Sequence, residues 1–219
     1  MGVLCKEEIG ERLNLMVDDE RQLVITPLLN REAIFKLGSD VDSIDLRLGN
    51  SFLLPRVPPL PYTFPSPDSS TQSHMRMQVP YGKYLVLPAH QTVLGATLEF
   101  IKLPADLCGQ VLTKSSVART FMVVETAPWI HPAYRGCLTL EIANVSNTPV
   151  ILYPGRPICQ LILMNLNSTG LKPGKLSGTY IAPVYPEAPI FSDPREELKK
   201  IGVPERDFVL PGHNNPTKT

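Results

Sequence analysis

Apolar and polar side chains alternate along much of this chain, with the period of two that is typical of half-buried β-strands. Residues 43–53 begin with strict alternation, which places Ile44, Leu46 and Leu48 on one face of a predicted strand. On the opposite face, an ion pair between Asp45 and Arg47 is one reading. Further strands are predicted, with prolines and glycines between most of them, at residues 23–26, 84–87, 92–100, 109–112, 121–124, 137–144, 150–153 and 158–163. This spacing predicts an all-β barrel or sandwich.

Helical patterns are confined to the two ends of the chain. Ile9, Leu13 and Met16 follow one another at helical spacing, which predicts a short helix over residues 6–16. A second short helix is predicted at 194–201, between the N-cap residue Asp193 and the stop signal Gly202. Residues 55–73 are rich in Pro and Ser and show almost no periodicity, so we expect a surface loop or insertion there. The end of the chain, after residue 211, is expected to be a frayed tail.

Length and charge narrow the class of protein. A chain of 219 residues can bury one good core, so one compact domain with tails is expected. The formal net charge is zero, which gives no general attraction for nucleic acid or for an anionic membrane. No apolar run is long enough to span a bilayer, and the first residues lack the apolar core of a signal peptide. A cytoplasmic protein is expected.

The cysteines argue against a zinc site. They are scattered, without a Cys-x-x-Cys pair, and are expected to be reduced and mostly buried thiols. Zinc-dependent nucleotide deaminases need a His-x-Glu and a Pro-Cys-x-x-Cys to hold the metal, and neither occurs here. Any deamination by this chain must therefore activate water without zinc. The cysteines are Cys5, Cys108, Cys137 and Cys159.

Two segments carry candidate chemistry. Lys114, Ser115, Ser116 and Arg119 place a point charge, two hydroxyls and a planar guanidinium within six residues, which is typical of phosphate binding. Glu141 follows on a predicted strand whose residues Leu138, Leu140 and Ile142 are expected to be buried, and a carboxylate in apolar surroundings is a candidate general acid or base. The alternative is that Glu141 is a buried structural partner of Arg119.

Four blocks of sequence form one recognisable pattern. The blocks are Ser43-Ile-Asp-Leu-Arg-Leu-Gly-Asn-Ser-Phe, Lys114-Ser-Ser-Val-Ala-Arg119, Ile130-x-Pro-x-x-x-Gly-Cys-Leu-Thr-Leu-Glu-x-x-Asn144 and Pro149-x-x-Leu-Tyr-Pro-Gly-x-x-Ile-x-Gln-Leu161. In order and at matching distances, they resemble the dCTP deaminase branch of the trimeric dUTPase superfamily. The resemblance covers roughly residues 1–180, taken as one domain, with 181–219 as a C-terminal extension.

The resemblance implies a distorted jelly-roll-like β-barrel of the dUTPase type, assembled as a homotrimer with active sites between subunits. It implies hydrolytic deamination of dCTP to dUTP and ammonia for the thymidylate pathway, with magnesium bound through the triphosphate. By position, Glu141 would be the general base and acid, Ser115 and the backbone near Ala127 would orient the water, and Arg119 would pair with Glu141 or polarise the site. The nucleotide-binding residues implied are Lys114, Ser115, Ser116, Val117, Ala118, Arg119, His131, Tyr134, Thr139, Leu140, Lys175 and Thr179.

Several positions depart from the pattern of that family. His131 stands where the superfamily has an Asp that contacts the sugar 3′-hydroxyl; alternatively, His131 caps the hairpin at Pro132. Tyr134 either stacks under the deoxyribose or packs within the protein. Towards the C-terminus, Lys172 and Leu176 replace tyrosines and Thr179 replaces a glutamine, and no glycine-rich terminal arm follows. Two other functions therefore stay open: dUTP diphosphatase activity, alone or combined with deamination, and a nucleotide-binding regulator without catalysis.

Overall fold

The computed structural model describes residues 2–28, 42–56, 74–125, 129–166, 182–202 and 204. Within them the chain forms eleven strands and three short helices. The strands are β1 (Val24–Thr26), β2 (Ile44–Arg47), β3 (Ser51–Pro55), β4 (His74–Gln78), β5 (Leu85–Leu87), β6 (Thr92–Lys102), β7 (Leu107–Thr113), β8 (Met122–Glu125), β9 (Arg135–Asn144), β10 (Val150–Leu152) and β11 (Pro157–Asn165). The helices are α1 (Lys6–Asn14), α2 (Ser115–Ala118) and α3 (Pro194–Lys200).

Antiparallel pairing organises these strands into three sheets. The largest has the order β4–β3–β6–β9–β8, and β1 also pairs with β6. A second sheet has the order β2–β11–β7, and β5 pairs with β10 in the third. Since the element content is dominated by strands and the defined registers are antiparallel, the prediction of an all-β fold is confirmed.

The core is formed by the inward faces of the alternating strands. Ile44 and Leu46 on β2 are buried, whereas Asp45 and Arg47, which alternate with them along the strand, are only half-buried. Successive side chains of a strand point to opposite faces of the sheet, so this period of two determines which side chains enter the core. The long central strand β6 has an irregular register with β9 between Ala96 and Phe100, where the regular pairing is interrupted.

The helices are shorter than the sequence pattern predicts. Helix α1 ends at Asn14, and Met16, predicted to lie on its apolar face, is 78% exposed. Ile9 is fully buried, so one turn of the helix carries most of its contact with the core. None of the helices among the described residues has the length and apolar character needed to traverse a bilayer.

The chain divides into two compact units. The larger comprises Met1–Leu54 and Arg76–Glu187 and contains the strands that carry the candidate chemistry. The smaller comprises Pro55–Met75 and Ala188–Thr219, and its described helix is α3. Helix α3 begins as predicted: the side chain of Asp193 accepts a hydrogen bond from the backbone N–H of Arg195, with proline in the first turn.

A buried ion pair lies between β2 and β6. The carboxylate of Glu99 is fully buried and accepts hydrogen bonds from Nε of Arg47 at 2.6 Å and from the backbone N–H of Arg47 at 2.8 Å. Arg47 also donates from Nη2 to the carbonyl of Pro27 at 2.9 Å. The reading of Asp45 and Arg47 as an ion pair is therefore wrong, because each is bound to a different partner.

Candidate active site

The Lys114–Arg119 segment forms a tight turn between β7 and β8. The carbonyl of Lys114 accepts hydrogen bonds from the backbone N–H groups of Val117 and Ala118, at 2.9 and 2.8 Å, and these bonds close the single turn of α2. Ser115, Ser116, Ala118 and Arg119 are exposed, while Val117 packs partly against the core. The turn therefore presents two hydroxyls and a guanidinium on its exposed side, a set of groups that is typical of phosphate binding.

Lys114 is held by a carboxylate that sequence reasoning did not connect to it. Its Nζ lies 2.7 Å from both carboxylate oxygens of Asp45, and the side-chain amide of Gln160 donates to the same carboxylate at 3.1 Å. An ammonium group has three donors, so one remains for an incoming anion. Asp45 thus fixes the position of the lysine next to Ser115 and Ser116 and partly neutralises its positive charge.

Glu141 lies on the outer face of β9, in the middle of the largest sheet. Its neighbours in the sequence, Leu140 and Ile142, are fully buried as predicted, but Glu141 itself is exposed. Its Cα partners are Leu94 on β6 and Glu125 on β8. The expectation that apolar side chains surround this carboxylate is therefore wrong for a single chain. Side chains adjacent in a strand point to opposite faces, so burial of Leu140 and Ile142 places Glu141 on the outer face.

Glu141 and Arg119 do not form an ion pair with each other within one chain. Within the described part of the chain, the ion pairs closer than 4.0 Å include neither of these side chains. Arg119 is exposed, as Glu141 is. The alternative that Glu141 is a buried structural partner of Arg119 is therefore wrong for the isolated subunit, and both groups are open to other contacts.

The turn before β9 carries His131 and Tyr134. The carbonyl of His131 accepts the backbone N–H of Tyr134 at 3.2 Å, and Ala133 between them has a φ of 62°. The His131 side chain is exposed, whereas the half-buried Tyr134 donates its hydroxyl to the carbonyl of Cys137 at 2.8 Å. Burial, with smaller effects of nearby Cys137 and Glu187, raises the pKa of Tyr134. These contacts favour the packing interpretation of Tyr134, with its polar end already bonded.

Residues 183–187 form an additional layer on β9 that sequence reasoning missed. The backbone N–H of Cys137 donates to the carbonyl of Pro183, and the backbone N–H of Glu187 donates to Oγ1 of Thr139 at 3.3 Å. Thr139 is half-buried beneath this contact, and Leu140 is fully buried, so the side chain of Leu140 faces the core and only its backbone can reach a ligand. A C-terminal extension without repeats or motifs gives no sequence signal for such a contact.

Gly136 shows how closely residues 183–187 approach the strand. Its φ is 139°, a conformation that favours glycine, and a Cβ atom built there would lie 2.5 Å from Cδ of Pro183. Replacing this glycine by any other residue would therefore push Pro183 away from β9.

Three predicted site residues lie outside the described residues: Ala127, Lys175 and Thr179. Lys172 and Leu176, which depart from the family's pattern, also lie outside them. Among the residues that the structure does describe, no group of three or more His, Cys, Asp or Glu side chains is arranged to hold a metal ion.

The cysteines are reduced, and three of the four are buried as expected. Burial raises the pKa of Cys159 to about 12, with smaller contributions from Glu99 and Asp45, and raises those of Cys108 and Cys137. The thiolate is the reactive form of cysteine, so these three buried groups are poor candidates for nucleophilic catalysis.

Comparison of the sequence with known proteins identifies the family of this chain. Residues 10–166 match the model of a family described as dCTP deaminase-like. A "dCTP deaminase, dUMP-forming" of Dictyoglomus turgidum is 37% identical over 156 residues, covering 71% of this chain and 78% of the relative. Another protein of that name, from Methanobrevibacter smithii, is 31% identical over 193 residues, covering 86% of this chain and 94% of the relative.

A solved structure supports the fold. The crystal structure of a 2′-deoxycytidine 5′-triphosphate deaminase from Agrobacterium tumefaciens aligns with a TM-score of 0.53 and 22% sequence identity. The alignment covers 74% of this chain and 46% of that solved chain, so this chain spans less than half of its length. At this identity the likeness concerns the fold alone. By the family match and by its relatives, the chain belongs to the dCTP deaminase-like family.

Proposed function

We propose that this protein hydrolyses the exocyclic amino group of dCTP. The observation that carries the proposal is the placement of Glu141: an exposed carboxylate without an ion-pair partner among the described residues, on a strand that is paired on both sides. A group held on a rigid strand keeps a fixed geometry, which catalysis requires. The family match and the names of the relatives supply the substrate class.

In the proposed reaction, Glu141 accepts a proton from water as the water oxygen bonds to C4 of the cytosine ring. The carboxylic acid so formed protonates N3 of the ring. The restored carboxylate then takes the proton of the hydroxyl group now on C4 and delivers it to the amino nitrogen, the bond from C4 to that nitrogen breaks, and ammonia leaves. The oxygen of the water remains on C4 as the carbonyl of uracil. Such proton transfer contributes about 10²–10⁴-fold to rate. The Ser115 hydroxyl orients the water, and no protein-bound metal takes part in these steps.

The turn at 114–119 would bind the triphosphate, with Lys114 contributing the donor that Asp45 leaves free and Ser116 a hydroxyl. Magnesium would arrive as part of the substrate, on the phosphates. The exposed His131 would lie at the sugar 3′-hydroxyl, since it stands at the position that resembles the superfamily's sugar contact. Because imidazole can donate or accept a hydrogen bond, this contact does not require an acid.

Each site would be completed by a neighbouring subunit of a homotrimer. Arg119 and Glu141 are both exposed and are not ion-paired with each other in one chain, and a second copy could bring one subunit's Arg119 to another's Glu141.

Coexpression of the variants Glu141→Gln and Arg119→Ala tests whether the two residues of one site come from different subunits. Each variant alone is expected to be inactive, but random mixing would restore about a quarter of the wild-type sites, those that draw each intact residue from a different subunit. No recovery in proven mixed trimers would locate the site within one subunit.

The experiment that tests the function measures release of ammonia and of pyrophosphate separately. Either dCTP or dUTP is supplied as the substrate, in the presence of magnesium. Ammonia release from dCTP is expected, and Glu141→Gln should abolish it while calorimetry shows an affinity for dCTP within a few-fold of the wild type. Near-normal turnover by Glu141→Gln would remove Glu141 as the general base. Tight binding of dCTP without either product would instead favour a non-catalytic regulator.

A second candidate function is continuation of the reaction to dUMP. It is favoured by the relatives from Dictyoglomus turgidum and Methanobrevibacter smithii, whose names describe them as dUMP-forming. Release of one pyrophosphate for each ammonia would support it, whereas accumulation of dUTP with ammonia alone would support simple deamination.

A further inference from the structure

Glu125 lies directly opposite Glu141. It is the last residue of β8, and its Cα partner on β9 is Glu141. Directly opposed residues of antiparallel strands place their side chains on the same face, with Cβ atoms about 4.5–5.5 Å apart. Both side chains are exposed in a single chain. Like charges in this position destabilise a strand pair, so the register sets two like charges opposite each other at the one place where the proposed reaction needs a carboxylate.

The other groups around Glu141 do not neutralise this pair. Leu94 faces it from β6, and the nearest outward residues along β9 are Ala143 and Thr139, the hydroxyl of Thr139 being bonded to the backbone of Glu187. The phenol of Tyr134 lies near Glu187. In the described residues, no Lys or Arg side chain lies within ion-pair distance of either Glu125 or Glu141.

The local surroundings of the pair are therefore acidic. The cation proposed to meet Glu141 is Arg119 of a neighbouring subunit. Its positive charge would oppose the repulsion between Glu141 and Glu125. In an isolated chain water screens the two carboxylates from each other, but closure of the site by a neighbour and a nucleotide removes that water and strengthens their repulsion.

This geometry matters for a group that must both accept and donate a proton. When water is excluded from between two neighbouring carboxylates, they lose their protons in separate steps, since both cannot be charged at low cost. We propose that Glu125 is a positioning residue that acts through Glu141, setting the pH range over which Glu141 can take the proton of water and return it to the ring. Glu125 makes no contact with the reacting atoms in this role. The inference rests on the proposed deamination.

The test compares three variants by the dependence of kcat/KM on pH, with ammonia release from dCTP as the readout. Glu125→Gln removes the charge and keeps the shape, so the acidic limb of the profile is expected to move to lower pH by about one unit. Glu125→Asp keeps the charge and should retain most of the wild-type profile. Glu11→Gln removes a charge from an exposed position on α1 and serves as the matched control, with no shift expected.

A second measurement is independent of turnover. The titration of the Glu141 carboxyl carbon can be followed by NMR in protein labelled with ¹³C-glutamate, with the resonance assigned by its loss in Glu141→Gln. In complex with a non-hydrolysable deoxycytidine nucleotide, this titration should move to lower pH when Glu125 is replaced by Gln. If the wild type releases no ammonia from dCTP, the proposed function fails and the NMR titration still decides the coupling. If the titration and the pH profile of Glu125→Gln both match the active wild type, the role of Glu125 is refuted.

Discussion

Replacing Arg47 by methionine tests how the buried carboxylate of Glu99 is stabilised. The change removes the 2.6 Å bond from Nε of Arg47 to Glu99 and the bond from Nη2 to the carbonyl of Pro27, while the backbone N–H of residue 47 can still donate to Glu99. Breaking a buried pair by removing one partner costs about 3–5 kcal/mol. Because one donor remains, we expect about 3 kcal/mol, which for a chain of this size lowers the Tm by about 6–12 °C.

The loss of stability in Arg47→Met should depend on pH, and the pKa of Glu99 determines the direction of that dependence. Burial raises the pKa of Glu99 above its ordinary value of 4.5, against the opposing effect of the hydrogen bonds and charge of Arg47. A carboxyl with a raised pKa in the folded state contributes stability that is fully present below pH 4.5 and is lost as the pH rises through the folded-state pKa. Without the Arg47 guanidinium this pKa rises further, so Arg47→Met should be destabilised more at pH 8 than at pH 5.

The assay is urea unfolding of wild type and Arg47→Met at pH 5 and pH 8, at one fixed protomer concentration because assembly contributes to apparent stability. The double variant Arg47→Met with Glu99→Gln is the control. It contains no buried charge, so it should recover much of the lost stability and lose the extra pH dependence. An equal loss at both pH values in Arg47→Met, unchanged in the double variant, would refute the reasoning.

Three further predictions concern single residues. Asn144→Ala should lower the free energy of unfolding by about 3 kcal/mol in urea titrations, because the buried amide of Asn144 donates to three backbone carbonyls. Gly136→Ala should expose residues 183–187 to limited proteolysis, because the new Cβ would meet Pro183; a Gly82→Ala control, at an open turn, should not. His131→Asp should sharpen the kcat/KM preference for dCTP over its 3′-deoxy analogue by about tenfold if this side chain contacts the sugar; equal preference in both proteins would exclude that contact.

The parts of the fold that follow from local periodicity could be predicted. Alternation in residues 43–48 identified the buried face of β2, and the helix-start signal at Asp193 correctly located the beginning of α3. Met16 shows the limit of the same reasoning. Its spacing from Ile9 suits a helix, but the chain leaves the helix at Asn14, because the packing of neighbouring elements and not the pattern decides where a marginal helix ends.

Partners distant in the sequence could not be predicted. The sequence places Asp45 and Arg47 on one face of a strand, which suggests an ion pair between them, but Asp45 binds Lys114, which is 69 positions away. Arg47 in turn binds Glu99, 52 positions away. Both contacts depend on which strands become neighbours, and a strand pattern specifies faces without specifying neighbours. The contact of residues 183–187 with β9 could not be predicted either, because that segment carries no repeat or motif that indicates a neighbour.

The wrong expectation for Glu141 carries the most information about the site. Buried Leu140 and Ile142 on either side suggest an apolar environment, but in a strand they show that the side chain between them points away from the core. A carboxylate on that outer face is wet in an isolated subunit, and a general base working on a desolvated ring needs a surface that excludes water. The exposed position of Glu141 therefore fits the proposed assembly: the fold supplies a rigid support and an opposed acid at Glu125, and in the proposed trimer another copy would contribute to the remaining wall of the site.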